Sequence, residues 1–161
     1  MGRLLPLMAA LLAGPVLADA ADEPARGFAA VVHQSNPTRN LRLRDLLSLF
    51  QGVSRQWPNN SAVVLVERDA GSTPFLFLIG RLLNTTPGEY KRHLQSIEYR
   101  GEGPVSIKIL NSDQAACQFV FNVPSAIAII EIKSLATPAC VQVPALRIDG
   151  KLPGEEGYRL R

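Results

Sequence analysis

The chain is poor in the residues from which metal and redox sites are built. Of its 161 residues, two are cysteine and two are histidine. His33 and His93 lie far apart, and neither stands at a ligand-like spacing from a cysteine, so no metal site is expected. Aromatic residues are scarce at 6%, and the single Trp and few Tyr are not interleaved with Lys and Arg. The cations are scattered, so a net charge of +3 does not imply nucleic-acid binding. No Ser/His/Asp arrangement, paired carboxylates or nucleotide-phosphate loop stands out, so neither an enzyme nor a cofactor is expected. A long apolar run is also missing. Leu4 to Leu17 is an apolar stretch of 14 residues, short of the roughly 20 that span a bilayer, and Gly14-Pro15 would break a helix near its end.

What the N-terminus does have is the order of a secretory signal peptide. Arg3 precedes the apolar stretch, and small residues follow it, with cleavage expected after Ala18 or Ala20. No cysteine occurs before Cys117, which excludes a lipid anchor on a new N-terminal Cys. The expected organisation is a signal peptide over residues 1–20, a flexible leader over 21–27 and one domain over 28–161. The expected location is the periplasm, with no stable membrane insertion after cleavage. About 140 residues suit a single core. In an oxidising compartment Cys117 and Cys140 suggest a disulfide, contributing about 3 kcal/mol in the chain-entropy model. Two buried, unpaired thiols are the alternative, and the Cα separation decides between them.

Along the chain, short apolar runs alternate with helical patterns. Phe28 to Gln34 and Val63 to Val66 read as buried strands. Leu43, Leu46, Leu47 and Phe50 recur at helical spacing, with Gly52 as the stop. Thr73-Pro74 opens a well-buried helix with Thr73 as its cap. Thr86-Pro87-Gly88-Glu89 opens another with a capping box. Val105 to Ile109 reads as a strand, Ser112 caps a helix to about Phe121, and Ala126 to Ile132 is a strand. Val141 to Ile148 reads as an edge strand, marked by Pro144. The alternation predicts an α/β three-layer sandwich with a mainly parallel sheet.

One segment carries candidate chemistry. Glu67-Arg68-Asp69-Ala70-Gly71-Ser72-Thr73-Pro74 joins a buried strand to a helix start. Ligands of open α/β sheets bind beyond the carboxyl ends of strands, and a helix N-terminus favours an anion. Gly71 permits close backbone approach, the hydroxyls of Ser72 and Thr73 can donate to an oxyanion, and Arg68 can add a charge-assisted contact. The same residues also read as an ordinary turn and cap, with Arg68 paired to Asp69 or Glu67.

The order of motifs resembles a known family. Asn36-Pro37 follows the first strand, and a Leu-rich helix ends in Phe50-Gln51-Gly52. Trp57-Pro58, a strand ending in Arg68 and the Gly71-Ser72-Thr73 helix start come next. Further on stand Tyr90 to Gly103, Asn122 to Ile127, and Arg147 to Gly154. From about residue 29 to 158 this resembles the second lobe of the phosphate ABC transporter substrate-binding proteins. The resemblance implies one lobe of a type II periplasmic binding protein over 28–161. It also implies a phosphate or sulfate ligand at Arg68, Gly71, Ser72 and Thr73. Here Pro74 directly follows Ser72-Thr73, where the family's loop has a glycine between its serine and threonine, and about 140 residues hold one lobe and not two. The resemblance leaves two functions open. One is an oxyanion-binding module, alone or with a second copy completing the cleft. The other is a periplasmic interaction or sensory-accessory domain that works with a partner protein and has lost the ligand site.

Overall fold

Four strands form the main sheet of the computed structural model, which describes residues 26–161. The expected signal peptide and most of the leader lie outside those residues. The strands are β1 (Phe28–Val32), β3 (Val64–Arg68), β4 (Ile107–Leu110) and β5 (Ala126–Glu131), in the order β1-β5-β3-β4. β5, β3 and β4 run parallel, and β1 lies antiparallel to β5 with Ala30 opposite Ile129. The sheet is mainly parallel, and β1, β3 and β5 are continuous apolar runs because helices cover both faces.

The side-chain alternation of each strand divides the core in two. Ala30, Val32, Leu65, Ile127 and Ile129 pack with α1 (Leu43–Phe50), α2 (Thr73–Leu76) and α3 (Pro87–Ile97). Phe50, Trp57 and Tyr90 fill that side. Ala29, Val31, Val66, Ala126, Ala128 and Ile130 face the other way, against α4 (Asp113–Asn122). This is the expected three-layer sandwich. α2 continues without a break into a wider π-helical stretch, Phe77–Leu82.

Local sequence explains most helix boundaries. Thr86 accepts from the Glu89 N–H while the Glu89 carboxylate accepts from the Thr86 N–H, so the capping box forms as read. Ser112 accepts from Ala115 N–H at the start of α4. Gly52 ends α1 at φ 70°, a left-handed position, where a Cβ would come within 2.7 Å of Val105.

The segment after Cys140 departs from the expected edge strand. Only Arg147–Ile148 (β6) is a strand, paired in parallel with the two-residue β2 (Asn40–Leu41). Pro144 has no N–H to give a ladder, but its carbonyl accepts from Val32 N–H at 3.0 Å. Leu146 N–H donates to the Ala30 carbonyl at 2.8 Å, so Ala145 bridges antiparallel to Val31 at the outer edge of β1, and the pairing does not extend into a ladder.

Cys117 and Cys140 are joined by a disulfide with Cα atoms 5.0 Å apart, so the alternative of two free thiols does not hold. The bridge ties α4 to the turn after a short 3₁₀ segment, Ile132–Ala136. The two ends of the described chain meet. Phe28 N–H donates to the Leu160 carbonyl at 2.8 Å, and Ile132 N–H to the Gly27 carbonyl at 3.0 Å. Among the described residues no helix is long and apolar enough to cross a membrane.

Candidate functional site

The connections of the sheet create a crevice between β3 and β4. The chain leaves β3 into α2 on one face, and leaves β4 into α4 on the other. Adjacent strands whose following loops diverge in this way open a cleft at their carboxyl ends, which is where open α/β sheets place ligands. Arg68 ends β3 opposite Leu110 of β4, so the candidate segment does lie at this cleft.

Arg68 fills the cleft with a hydrogen-bonded array of the protein's own groups. Its Nη1 pairs with Asp113, its Nη2 meets the Asp69 carboxylate and the Asn111 carbonyl at 3.2 Å each, and its Nε donates to the Leu110 carbonyl at 3.3 Å. A guanidinium has five N–H donors, and four are engaged here, so one on Nη1 is left over. Asp113 is buried and opens α4. Its second oxygen accepts from Glu131 N–H at 3.0 Å and from the Ser134 hydroxyl at 2.6 Å. One carboxylate thus joins the ends of β3 and β5 to the start of α4. Proximity in sequence offers Asp69 and Glu67 as partners for Arg68. Asp69 is one, Glu67 is not, and Asp113 lies 45 positions away.

The turn itself is more open. Ser72 caps α2, accepting from Phe75 N–H at 3.3 Å, and its own N–H donates to the Asp69 carbonyl at 2.9 Å. The cap is therefore Ser72 and not Thr73, because Ser72 has the extended backbone that a cap requires. Thr73 becomes the first helical residue and Pro74 the second. Among the described residues no hydrogen bond joins the N–H of Gly71 or of Thr73 to an acceptor, and both residues are exposed. A Cβ added at Gly71 would meet nothing within 4 Å. Of the four expected site residues, Gly71 and Thr73 face open space, Ser72 is half committed to its cap, and Arg68 is nearly saturated.

On the opposite side of β3 sits Glu67, which its place in the sequence marks only as a candidate partner for Arg68. It is buried, and its carboxyl takes a hydrogen bond from Tyr90 on α3. Burial pushes the Glu67 carboxyl above its ordinary range, and the Tyr90 hydrogen bond partly offsets this. The phenol of Tyr90 is driven upward by the same burial and by the nearby carboxylate. Away from the cleft, His33 Nδ1 accepts from the N–H of Ser35 and lies 2.7 Å from its hydroxyl, closing an exposed turn. Among the described residues no group of three metal-ligating side chains comes together.

No family model and no curated sequence matches the chain. Solved structures do share its fold. A protein described as a phosphate ABC transporter substrate-binding protein, solved with bound phosphate from Clostridium perfringens, is 19% identical with a TM-score of 0.64. The match covers 84% of this chain and 52% of that one. PstS from Borrelia burgdorferi is 15% identical with a TM-score of 0.61, covering 80% of this chain and 49% of its own. An ABC-type phosphate transport receptor from Vibrio cholerae is 21% identical with a TM-score of 0.54, covering 80% and 48%. Such low identities speak to architecture alone. The chain shares the fold of these neighbours and spans about half their length.

Proposed function

We propose that this chain is an exported solute-binding lobe that takes an inorganic oxyanion, phosphate or sulfate, at the β3–α2 turn. The observation that carries this reading is the pair of N–H groups on the exposed residues Gly71 and Thr73, which have no acceptor among the described residues. They stand at the carboxyl end of a central strand beside the Thr73 hydroxyl. The names of the Clostridium perfringens and Vibrio cholerae neighbours, a phosphate ABC transporter substrate-binding protein and a phosphate transport receptor, support the same ligand class. Arg68 contributes as a positive group behind the turn with one N–H to spare. Contacts from this lobe by itself leave the anion exposed to water, so they are screened and their affinity alone is modest.

A second reading is favoured by the commitment of Arg68 to Asp113 and Asp69. Two carboxylates beside one guanidinium leave little net positive charge to attract an anion. On this reading the lobe is a periplasmic interaction or sensory-accessory module working with a partner protein or a second copy.

Calorimetric titration with phosphate and sulfate separates the two. The oxyanion reading expects saturable binding that Thr73→Val weakens by several-fold, since one hydroxyl donor is lost. Arg68→Ala is a poor probe here because it strands Asp113. Absence of heat and of any thermal shift at millimolar anion would sink the oxyanion reading and leave the interaction module.

A further inference from the structure

A groove of about 490 Å³ opens between α3 and the β3–β4 edge, on the side of the sheet away from Asp113. Its walls are apolar, formed by Phe75, Leu94, Val105, Ile107 and Ile109 among others, and Ile109 is exposed. At its lining is Glu67, a carboxyl that is 5% exposed as a residue and has no salt-bridge partner among the described residues. Buried carboxylates are normally paired with a cation or fully hydrogen-bonded. Glu67 has one side-chain partner, the Tyr90 hydroxyl, and that hydroxyl lies 2.8 Å from the Phe50 carbonyl as well. A phenol has one proton to give, so these two acceptors compete for it. The array closes when Glu67 carries a proton of its own, or when a donor in the groove, water or a cation, reaches its carboxylate.

We propose that this groove binds a small organic ammonium compound, with its cationic head on the Glu67 carboxylate and its hydrocarbon part against Phe75, Leu94 and Ile107. The charges around the groove agree with a cationic guest. Arg68, which also lines it, is balanced by Asp113 and Asp69, and the rim residues Lys91 and Glu98 carry opposite charges. Glu67 is therefore the unbalanced group. An ammonium head supplies both the missing counter-charge and donors for the carboxylate, which frees the Tyr90 proton for Phe50. The apolar walls select an organic cation over a metal ion, which would need several oxygen or nitrogen ligands. This site does not depend on an oxyanion at the β3–α2 turn, and failure of phosphate to bind would leave it untouched.

The test is an NMR titration of the protein at constant ionic strength, with n-butylammonium chloride and its neutral counterpart 1-butanol. Saturable shifts are expected at Leu94, Ile107 and Ile109, with butylammonium binding about tenfold or more tightly than the alcohol. Glu67→Gln should erase that preference so that the two probes bind alike. An absence of saturable shifts, equal binding of both probes to the wild type, or a preference retained in Glu67→Gln overturns the proposal. Should the variant not fold, the wild-type comparison decides by itself, because the two probes differ in the head group alone.

Discussion

Asp113 and Glu67 are two buried carboxyls at the same end of the sheet, and their surroundings are opposite. Asp113 touches a guanidinium, a backbone N–H and a hydroxyl, so both of its oxygens are satisfied within the protein. Glu67 shares one phenolic proton with a backbone carbonyl. Asp113 has the environment of a structural joint and Glu67 that of an unfinished site. The difference follows from strand alternation: Arg68 and Glu67 are neighbours in sequence, yet they project to opposite faces and serve different layers.

The largest expected effect lies on the Asp113 side. Asp113→Ala removes the buried partner of Arg68 and strands Glu131 N–H and the Ser134 hydroxyl. A loss of about 3–5 kcal/mol is expected in urea unfolding, with lower values meaning that the joint is worth little. Next comes the disulfide that holds α4, the helix Asp113 begins. Replacing Cys117 and Cys140 by alanine should cost about 3 kcal/mol, because the bridge closes a loop of 23 residues. A melt unchanged in the paired variant would show that packing of α4 suffices without the bridge.

The smallest effect, and the most discriminating, belongs to Glu67. A carboxyl raised in the native state holds its proton more tightly there than in the unfolded chain. Stability attributable to it therefore falls as pH rises from the ordinary carboxylate range through the native value, and levels off above. Glu67→Gln keeps an acceptor for Tyr90 and cannot ionise. Its stability should decline less than wild type across that window, in parallel melts at several pH values. If wild type and variant decline together, Glu67 ionises as freely in the fold as in the unfolded chain, and its contrast with Asp113 disappears.

How legible these features were in the sequence depends on how far apart the interacting residues lie. β1, β3 and β5 could be read directly, because strands buried on both faces are continuous apolar runs. The caps at Thr86 and Ser112 were equally plain, since a cap and its target are three residues apart. The α2 cap lies at Ser72, one position before the Thr73 that the Thr-Pro pair suggests, a shift common at helix starts. Val141 to Ile148 looked like a strand because Val143, Leu146 and Ile148 are apolar and buried. Val143 packs into the core on the α4 side and Leu146 and Ile148 into the core on the other, while Pro144 denies the segment a regular ladder. Arg68 and Asp113 could not be matched from sequence at all, as 45 residues separate them and only the sheet register joins them. The same holds for Glu67 and Tyr90, whose meeting depends on how α3 lies across the sheet. The fold was thus far more readable than the site.

The hydrogen bond between Phe28 and Leu160 has a consequence of its own. β1 starts where the parallel strands finish, since Phe28 faces Glu131 at the end of β5. Both extremities of the domain therefore emerge at the rim that holds the β3–α2 turn. Whatever is tethered through either extremity, be it a membrane-bound partner, a second lobe or a surface, is held above that rim at high local concentration. A weak contact there would gain avidity from the tether alone.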